Sequence, residues 1–341
     1  MAEHQRLVLV TGGSGFLAGH VILRLLSDGY RVRTTVRSLG REAGVRAALG
    51  RASDDAALEF VAADLTSDDG WAAAVDGCDA VLHVASPFPA RQPENEDDVI
   101  VPAREGTLRV LRAASAAGIR RIVMTSSFAA VGYSAKPTGE PYDESDWTDA
   151  AAPNSPYVKS KTLAERDAWE FAAANDVELT VVNPVGIFGP VLGTDLATSV
   201  QIVKELLNGR PPLLPHASFA VVDVRDVADL HVMALEDPRA IGERFLAAAG
   251  QPVSLPETAA TLRSRLGAAG HRVPRLTAPD WLVRTGARFV PALRELAGLL
   301  GEPKRISATK ATEMLGWQPR PVADTLVDTA RSLLDGGLVD R

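Results

Sequence analysis

The chain has 341 residues, with 36 Lys plus Arg against 43 Asp plus Glu and a formal net charge of -7. Its 46% apolar and 23% charged residues suit a folded chain with a sizeable core and exclude a disordered one. A pI near 5.5 speaks against a nucleic-acid footprint, and no apolar run approaches the roughly 18 residues of a membrane span. Cys78 is the only cysteine, so a disulfide framework and a cysteine-based metal cluster are excluded. Met1 to Arg6 reads MAEHQR and carries no secretory pattern, so a soluble cytoplasmic protein is expected.

In chain order, residues 7–10 (LVLV) stop at Thr11-Gly12-Gly13. So short an apolar, β-branched run predicts a buried parallel strand. Phe16, Leu17, Val21, Leu25 and Leu26 recur near helical spacing and predict a helix over 16–27, closed by Asp28-Gly29. Strands are expected over 31–36, 58–61 and 80–85, the last closed by Ser86-Pro87. A helix over 106–117, a strand over 122–126, a helix over 157–175 and a strand over 179–183 follow. Strands separated by helices imply an α/β fold with a parallel sheet covered on both faces. After Gly189-Pro190 the texture changes, with Pro211, Pro212 and Pro215 in a loop. Residues 219–224 predict a strand, 225–235 a helix, and 322–335 a last helix with Val322, Leu326, Ala330 and Leu333 on one side. The expected division is a dinucleotide-binding domain over 1–190, to which 215–249 returns. Residues 191–214 and 250–341 would form a smaller substrate-binding lobe.

Gly12, Gly15 and Ala18 form G-x-x-G-x-x-A between the first strand and the first helix. Gly12 permits the tight turn, Gly15 lets backbone approach a pyrophosphate, and Ala18 allows close helix–sheet packing. The helix N-terminus offers N–H groups and a partial positive charge to the anion. The second strand bears on which dinucleotide binds. An NAD site usually carries an acid there, but this chain reads Arg33-Thr34-Thr35-Val36-Arg37-Ser38. A guanidinium at Arg37 can pair with a 2′-phosphate, so NADP(H) is the expected cofactor; Arg41 is a weaker second candidate. Asp64-Leu65 follows the third strand, where the carboxylate can reach the adenine amino group or cap a helix.

Tyr157 and Lys161 are four apart in a helical stretch and share a face. A phenol is a poor acid at neutral pH, and a neighbouring ammonium lowers its pKa. Such a pair can exchange a proton with a substrate oxygen, and Lys161 can also hold a ribose. Thr125-Ser126-Ser127 closes an apolar strand at the sheet end where ligands bind, and a hydroxyl there can hold a reacting carbonyl or cap backbone groups.

These segments together resemble an extended short-chain dehydrogenase/reductase, in the NAD-dependent epimerase/dehydratase superfamily. More narrowly the chain is similar to the dihydroflavonol-reductase, cinnamoyl-CoA-reductase and aldehyde-reductase-like group. The resemblance is carried by VTGGSGFLAGHVILRLLSDGYRVRTTVRS, DGCDAVLHVASP, RRIVMTSSFAAV, YVKSKTLAERDAWEF, NPVGIFGP, VVDVRDVADLH and LGWQPRP. It implies a Rossmann doubly wound parallel sheet with a smaller C-terminal substrate lobe. It also implies that Ser127, Tyr157 and Lys161 are the catalytic residues and that Arg37 is the cofactor-selecting arginine. By the same match Ala85, Ser86, Ser126, Pro184 and Val185 line the cofactor, and Phe16 and Leu17 approach the pyrophosphate through backbone N–H groups.

Departures narrow the activity. Asn154-Ser155-Pro156-Tyr157-Val158 replaces the Asn-Trp-Tyr-Cys-Tyr segment of cinnamoyl-CoA reductases, and Ala129-Ala130-Val131-Gly132 lacks the polar residue of plant dihydroflavonol reductases. The expected activity is NADPH-dependent reduction of a hydrophobic aldehyde or ketone, with Tyr157 as proton donor and no metal, nucleic acid or membrane partner. Phe128, Tyr133, Ile187, Phe188 and Phe219 are expected near the substrate. His83 is expected to be a packed, hydrogen-bonded histidine and Cys78 a buried, inert thiol. The alternatives are a sugar-nucleotide epimerase, against which Arg37 counts, and a dinucleotide-sensing regulator without turnover, against which the Tyr157/Lys161 pair counts.

Overall fold

A computed structural model describes residues 5–50, 57–87, 95–136, 139–286, 300–301 and 303–340. The chain runs through β1 (Leu7–Val10), α1 (Phe16–Ser27), β2 (Arg31–Val36), α2 (Glu42–Leu49), β3 (Leu58–Ala62) and α3 (Trp71–Val75). It continues through β4 (Ala80–His83), α4 (Asp97–Ala116), β5 (Arg121–Thr125), α5 (Pro156–Ala174) and β6 (Glu178–Pro184). Next come β7 (Gly186–Phe188), α6 (Thr198–Leu207), β8 (Leu213–Leu214), β9 (Ser218–Phe219), β10 (Val221–Asp223), α7 (Val224–Glu236) and β11 (Arg244–Ala247). The remainder forms β12 (Val253–Ser254), α8 (Leu255–Leu266), β13 (Leu276–Thr277), α9 (Asp280–Gly286), α10 (Thr309–Leu315) and α11 (Val322–Asp335).

Seven strands form one sheet in the order β11-β6-β5-β4-β1-β2-β3. Every pairing in it is parallel, so all carboxyl ends share one edge. This is the doubly wound Rossmann-like arrangement that the sequence predicts. The strand order reverses between β1 and β4, and in such sheets a ligand sits outside the carboxyl ends at that point. Leu9, Val81, Ile122, Met124, Leu179 and Val181 lie on one face of the sheet, under Trp71 of α3, Val110 and Leu111 of α4, and Ala168 of α5.

Two compact units are present. The first comprises Met1–Pro184, Val227–Ala247 and Ala308–Trp317, and the second Val185–Asp226, Ala248–Ser307 and Gln318–Arg341. The expected return of residues 215–249 to the sheet is therefore divided. β11 extends the central sheet beside β6, whereas the strand expected over 219–224 is split into β9 and β10, which pair with β12 and β7. α10 packs with the first unit although its sequence neighbours belong to the second. α4 begins well before the expected start at 106, because Val99, Ile100 and Ala103 continue its buried face and outweigh the bond lost at Pro102. In the second unit, Leu326, Val327, Ala330 and Leu333 form the buried stripe of α11, and the Gly189 N–H donates to Thr329 Oγ1 at 2.8 Å. Among the described residues, no helix is long and apolar enough to cross a membrane.

Arg121 ties two ends of the first unit together. It is 9% exposed, and its guanidinium donates to the Glu178 carbonyl at 2.6 Å and to the Ala234 and Leu235 carbonyls at the end of α7. Those helix carbonyls have no intrahelical donor, and a cation favours that end of the dipole. Burial pushes the guanidinium down to about 10. Arg121→Met should lower the unfolding free energy by about 2–3 kcal/mol, the scale of losing hydrogen bonds to a charged group. Urea denaturation at constant m tests this, and wild-type stability would show that Arg121 is dispensable.

Candidate active site

The β1–α1 turn is built by sterics. Gly12 adopts φ +75°, and a Cβ on it would lie 2.9 Å from Ala85 Cβ. A Cβ on Gly13 would fall 2.2 Å from Thr34 Oγ1. The turn is pinned to β2, since Gly12 N donates to Thr35 Oγ1 at 2.9 Å and Gly13 N to the Thr35 carbonyl at 2.8 Å. Sequence reading assigned no role to Gly13, Thr34 or Thr35; their signal was two threonines on the strand facing the turn. Gly15 is exposed, is the N-cap of α1 and brings no capping side chain. Phe16 and Leu17 follow it, with N–H groups that have no intrahelical acceptor. No acidic residue occupies that first turn. An exposed glycine, free N–H groups and the helix dipole fit a pyrophosphate.

Arg37 is exposed just beyond β2. Asp64 lies beyond β3, and its Oδ1 accepts from Thr66 N at 2.9 Å and Thr66 Oγ1 at 2.8 Å. Those two bonds hold its carboxyl below the usual range, with the charges of Arg37 and Arg109 assisting. Asp64 thus closes a turn rather than capping a helix; the N-cap of α3 is Gly70. The Leu65 carbonyl accepts from Arg109 Nη1, and Leu65 packs against Gly106 of α4.

Beyond β4, the Ala85 N–H donates to Thr11 Oγ1 at 2.9 Å. The Thr11 hydroxyl can then donate to His83 Nδ1, 3.0 Å away. Burial pushes His83 down to about 3, so it is a neutral packing group at physiological pH. Cys78 is buried as well, and burial raises its thiol to about 11.

Ser127 follows β5 as the N-cap of the 3-10 turn Phe128–Ala130, its Oγ accepting from Ala129 N at 3.1 Å. Tyr157 OH donates to the same Oγ at 3.5 Å. Ser127 is therefore both a backbone cap and a hydroxyl facing the phenol. Tyr157 sits in the first turn of α5, which is set by the Ser155 cap and Pro156 at its start. One turn on, Lys161 is 8% exposed and its Nζ donates to Ser86 Oγ at 2.8 Å. Burial pulls Lys161 down to about 8, opposed by the charge of Glu165. Burial raises Tyr157, and the bond with Ser127 pulls the other way. The Lys161 ammonium lies 6.0 Å from the Tyr157 ring centroid.

Ser126 is 3% exposed, and its hydroxyl donates to Glu165 Oε2 at 2.5 Å, so the side chain is committed inward. Pro184 ends β6 in the first unit, and Val185 opens the second. Phe128 is 8% exposed and packs edge-to-face on Tyr133 and Tyr142, whereas Tyr133 is 40% exposed. In the second unit Phe188 is 1% exposed behind Phe219, their centroids 5.5 Å apart, and Ile187 and Phe219 are half-buried. Phe128 and Phe188 are therefore core side chains rather than accessible lining.

A model of the NAD dependent epimerase/dehydratase family matches residues 8–248. The chain is similar to a cinnamoyl-CoA reductase of Medicago truncatula, 38% identical over 245 residues that span 70% of this chain and 75% of the relative. It is similar to a ketoreductase of Aspergillus niger, 33% identical over 305 residues that span 82% and 88% of the two chains. Among solved structures, the yeast methylglyoxal/isovaleraldehyde reductase complexed with NADPH superposes with a TM-score of 0.79 at 26% identity, over 98% of this chain and 100% of that one. The glycine turn, the strand-end serines and the Tyr157/Lys161 helix thus sit in a chain that belongs to the NAD dependent epimerase/dehydratase family, within its dihydroflavonol-reductase and cinnamoyl-CoA-reductase-like group.

Proposed function

We propose that this chain is an NADPH-dependent reductase of small or medium hydrophobic aldehydes and ketones. The observation that carries this reading is the placement of Tyr157 OH 3.5 Å from Ser127 Oγ, with Lys161 one turn along α5 and the glycine turn on the same sheet edge. The turn at Gly12, Gly13 and Gly15 would hold the pyrophosphate, and Arg37 would meet a 2′-phosphate. NADPH bound to the yeast reductase supports that choice. When bound, the cofactor supplies a hydride. Ser127 and Tyr157 would hold the carbonyl oxygen, and Tyr157 would give it a proton as the carbon is reduced, leaving an alcohol and a phenolate. The Lys161 ammonium would then stabilise that phenolate.

A nucleotide-sugar substrate would need cations for its two phosphates, because charges leaving water require partners. Of two second-unit arginines, Arg225 is held by short ion pairs, whereas Arg210 stays largely exposed with only long surface contacts. Arg225 donates to Asp223 at 2.9 and 2.7 Å and to Asp328 at 2.7 Å, and Arg210 lies 3.6 Å from both Glu205 and Asp340. The direct test is a panel of aryl ketones, 2-oxo esters, dihydroflavonols and UDP-sugars, read by NADPH oxidation and product analysis. Turnover of the neutral carbonyls is expected, with tolerance of size changes; turnover confined to UDP-sugars would replace this reading with epimerisation.

Arg37→Asp should weaken NADPH binding by at least about tenfold, the scale of one charge-assisted hydrogen bond, and leave NADH binding unchanged or improved. Fluorescence titration with both cofactors measures this; equal losses for the two would remove Arg37 from the 2′-phosphate site.

Tyr157→Phe should keep NADPH affinity and lose about 10²- to 10⁴-fold in kcat, the contribution of a positioned general acid. In the wild type, the Lys161 charge is present below its value of about 8 and lost above it. kcat/KM for reduction should accordingly decline above about pH 8 by up to tenfold per pH unit. A flat profile to pH 10 would exclude Lys161 as the group that limits the rate.

A further inference from the structure

We propose that the buried pair Glu165 and Arg244 is a positioning device, which sets the Ser126–Ser127 strand end and the Tyr157/Lys161 face of α5 in mutual register. The proposal rests on the reductase reading above. Glu165 lies one turn beyond Lys161 and two beyond Tyr157, on the same side of α5, and has no exposed surface. Its Oε1 accepts from Arg244 Nε of β11 at 2.6 Å. Its Oε2 accepts from Ser126 Oγ at 2.5 Å and from Asn183 Nδ2 of β6 at 2.6 Å. Asn183 Nδ2 also donates to the Ser127 carbonyl at 3.2 Å, so one amide links the carboxylate to the backbone of the catalytic serine. Arg244 is held in turn. Its Nη1 donates to the Glu144 and Asp146 carbonyls at 2.8 Å, and its guanidinium lies 3.8 Å over the Trp147 ring.

Neither Glu165 nor Arg244 is needed merely to fill space. A buried ion pair is a poor device for stability, and apolar side chains of similar volume often replace one without loss of folding. What apolar side chains cannot do is orient a serine hydroxyl and an asparagine amide. An ångström-scale displacement of Ser127 relative to Tyr157 is enough to impair a reaction that depends on both touching one oxygen.

The test uses the full chain with Glu165→Met/Arg244→Met, Ser126→Ala and Tyr157→Phe, each followed by thermal melting, NADPH affinity from fluorescence, and kcat and KM on a ketone substrate. In the double variant kcat should fall about 10- to 100-fold while the melting temperature, NADPH affinity and ketone KM stay near wild type. Ser126→Ala removes one donor to Glu165 and should lose about tenfold in kcat with the same unchanged affinities. A folded double variant with wild-type kcat overturns the proposal; if it does not fold, wild-type kcat in Ser126→Ala does so alone. Tyr157→Phe separates the two levels: full activity there sinks the reductase reading, whereas loss there beside wild-type kcat in the network variants sinks only the positioning role.

Discussion

A carboxylate stripped of water must be surrounded by donors, and Glu165, with no exposed surface, sets that demand at the centre of the first unit. Its acceptors are met by Arg244, Ser126 and Asn183, with Trp169 Nε1 a longer contact at 3.4 Å. The three short bonds come from β11, the end of β5 and β6. A single side chain on α5 therefore refers the helix to three adjacent strands, near the carboxyl ends of β5 and β6 and at the start of β11. Glu144 strengthens the same junction, because its Oε1 accepts from Leu246 N at 2.9 Å while its carbonyl receives Arg244. The segment leading into α5 is thus tied to the outer strand of the sheet, and Tyr157 inherits that placement.

Burial acts on Tyr157 and Lys161 of α5 in opposite senses. It raises the phenol of Tyr157 and brings the ammonium of Lys161 down to about 8. A raised phenol remains protonated at neutral pH, which suits the acid role proposed for Tyr157. Such a phenol is also a weaker donor unless its conjugate base is stabilised. The Ser127 hydroxyl offers one stabilising bond, and Lys161 offers charge whose retention is favoured by Glu165. The carboxylate that sets the geometry therefore also helps Lys161 stay charged inside the protein.

Elements with a strong period were legible in the sequence. α1, β2 and α11 occupy the expected residues, because apolar spacing and the Asp28-Gly29 stop mark the fold locally. The glycine turn was legible because backbone conformation dictates residue type at Gly12. Contacts between distant segments were not. Glu165 and Arg244 are 79 positions apart, and only the β11–β6 pairing brings them together. A visible trace existed in the i, i+4, i+8 series Tyr157, Lys161, Glu165, but a surface helix face carries such series too. The same limit explains Phe128 and Phe188: apolar character alone does not separate a core ring from one that meets a ligand. It also explains why the 219–224 run was assigned to the sheet, since β10 has the composition of a sheet strand yet pairs with β7.

The distribution of arginines carries the substrate class further than the apolar residues do. In the second unit Arg225 is gripped by Asp223, which is fully buried, and by Asp328. Arg320 is held by Asp226, which accepts from both its backbone N–H and its guanidinium. Freeing Arg225 for a diphosphate would leave Asp223 as a buried carboxylate without its cation, and breaking such a pair is far more costly than forming an exposed one is favourable. Arg37 stands differently: it is exposed beyond β2, where its charge only adds to the Thr66 hydrogen bonds that lower Asp64. A cation kept at the surface near the glycine turn can meet an incoming phosphate without dismantling an internal pair. The contrast supports the proposed reading of a phosphorylated cofactor at the sheet edge.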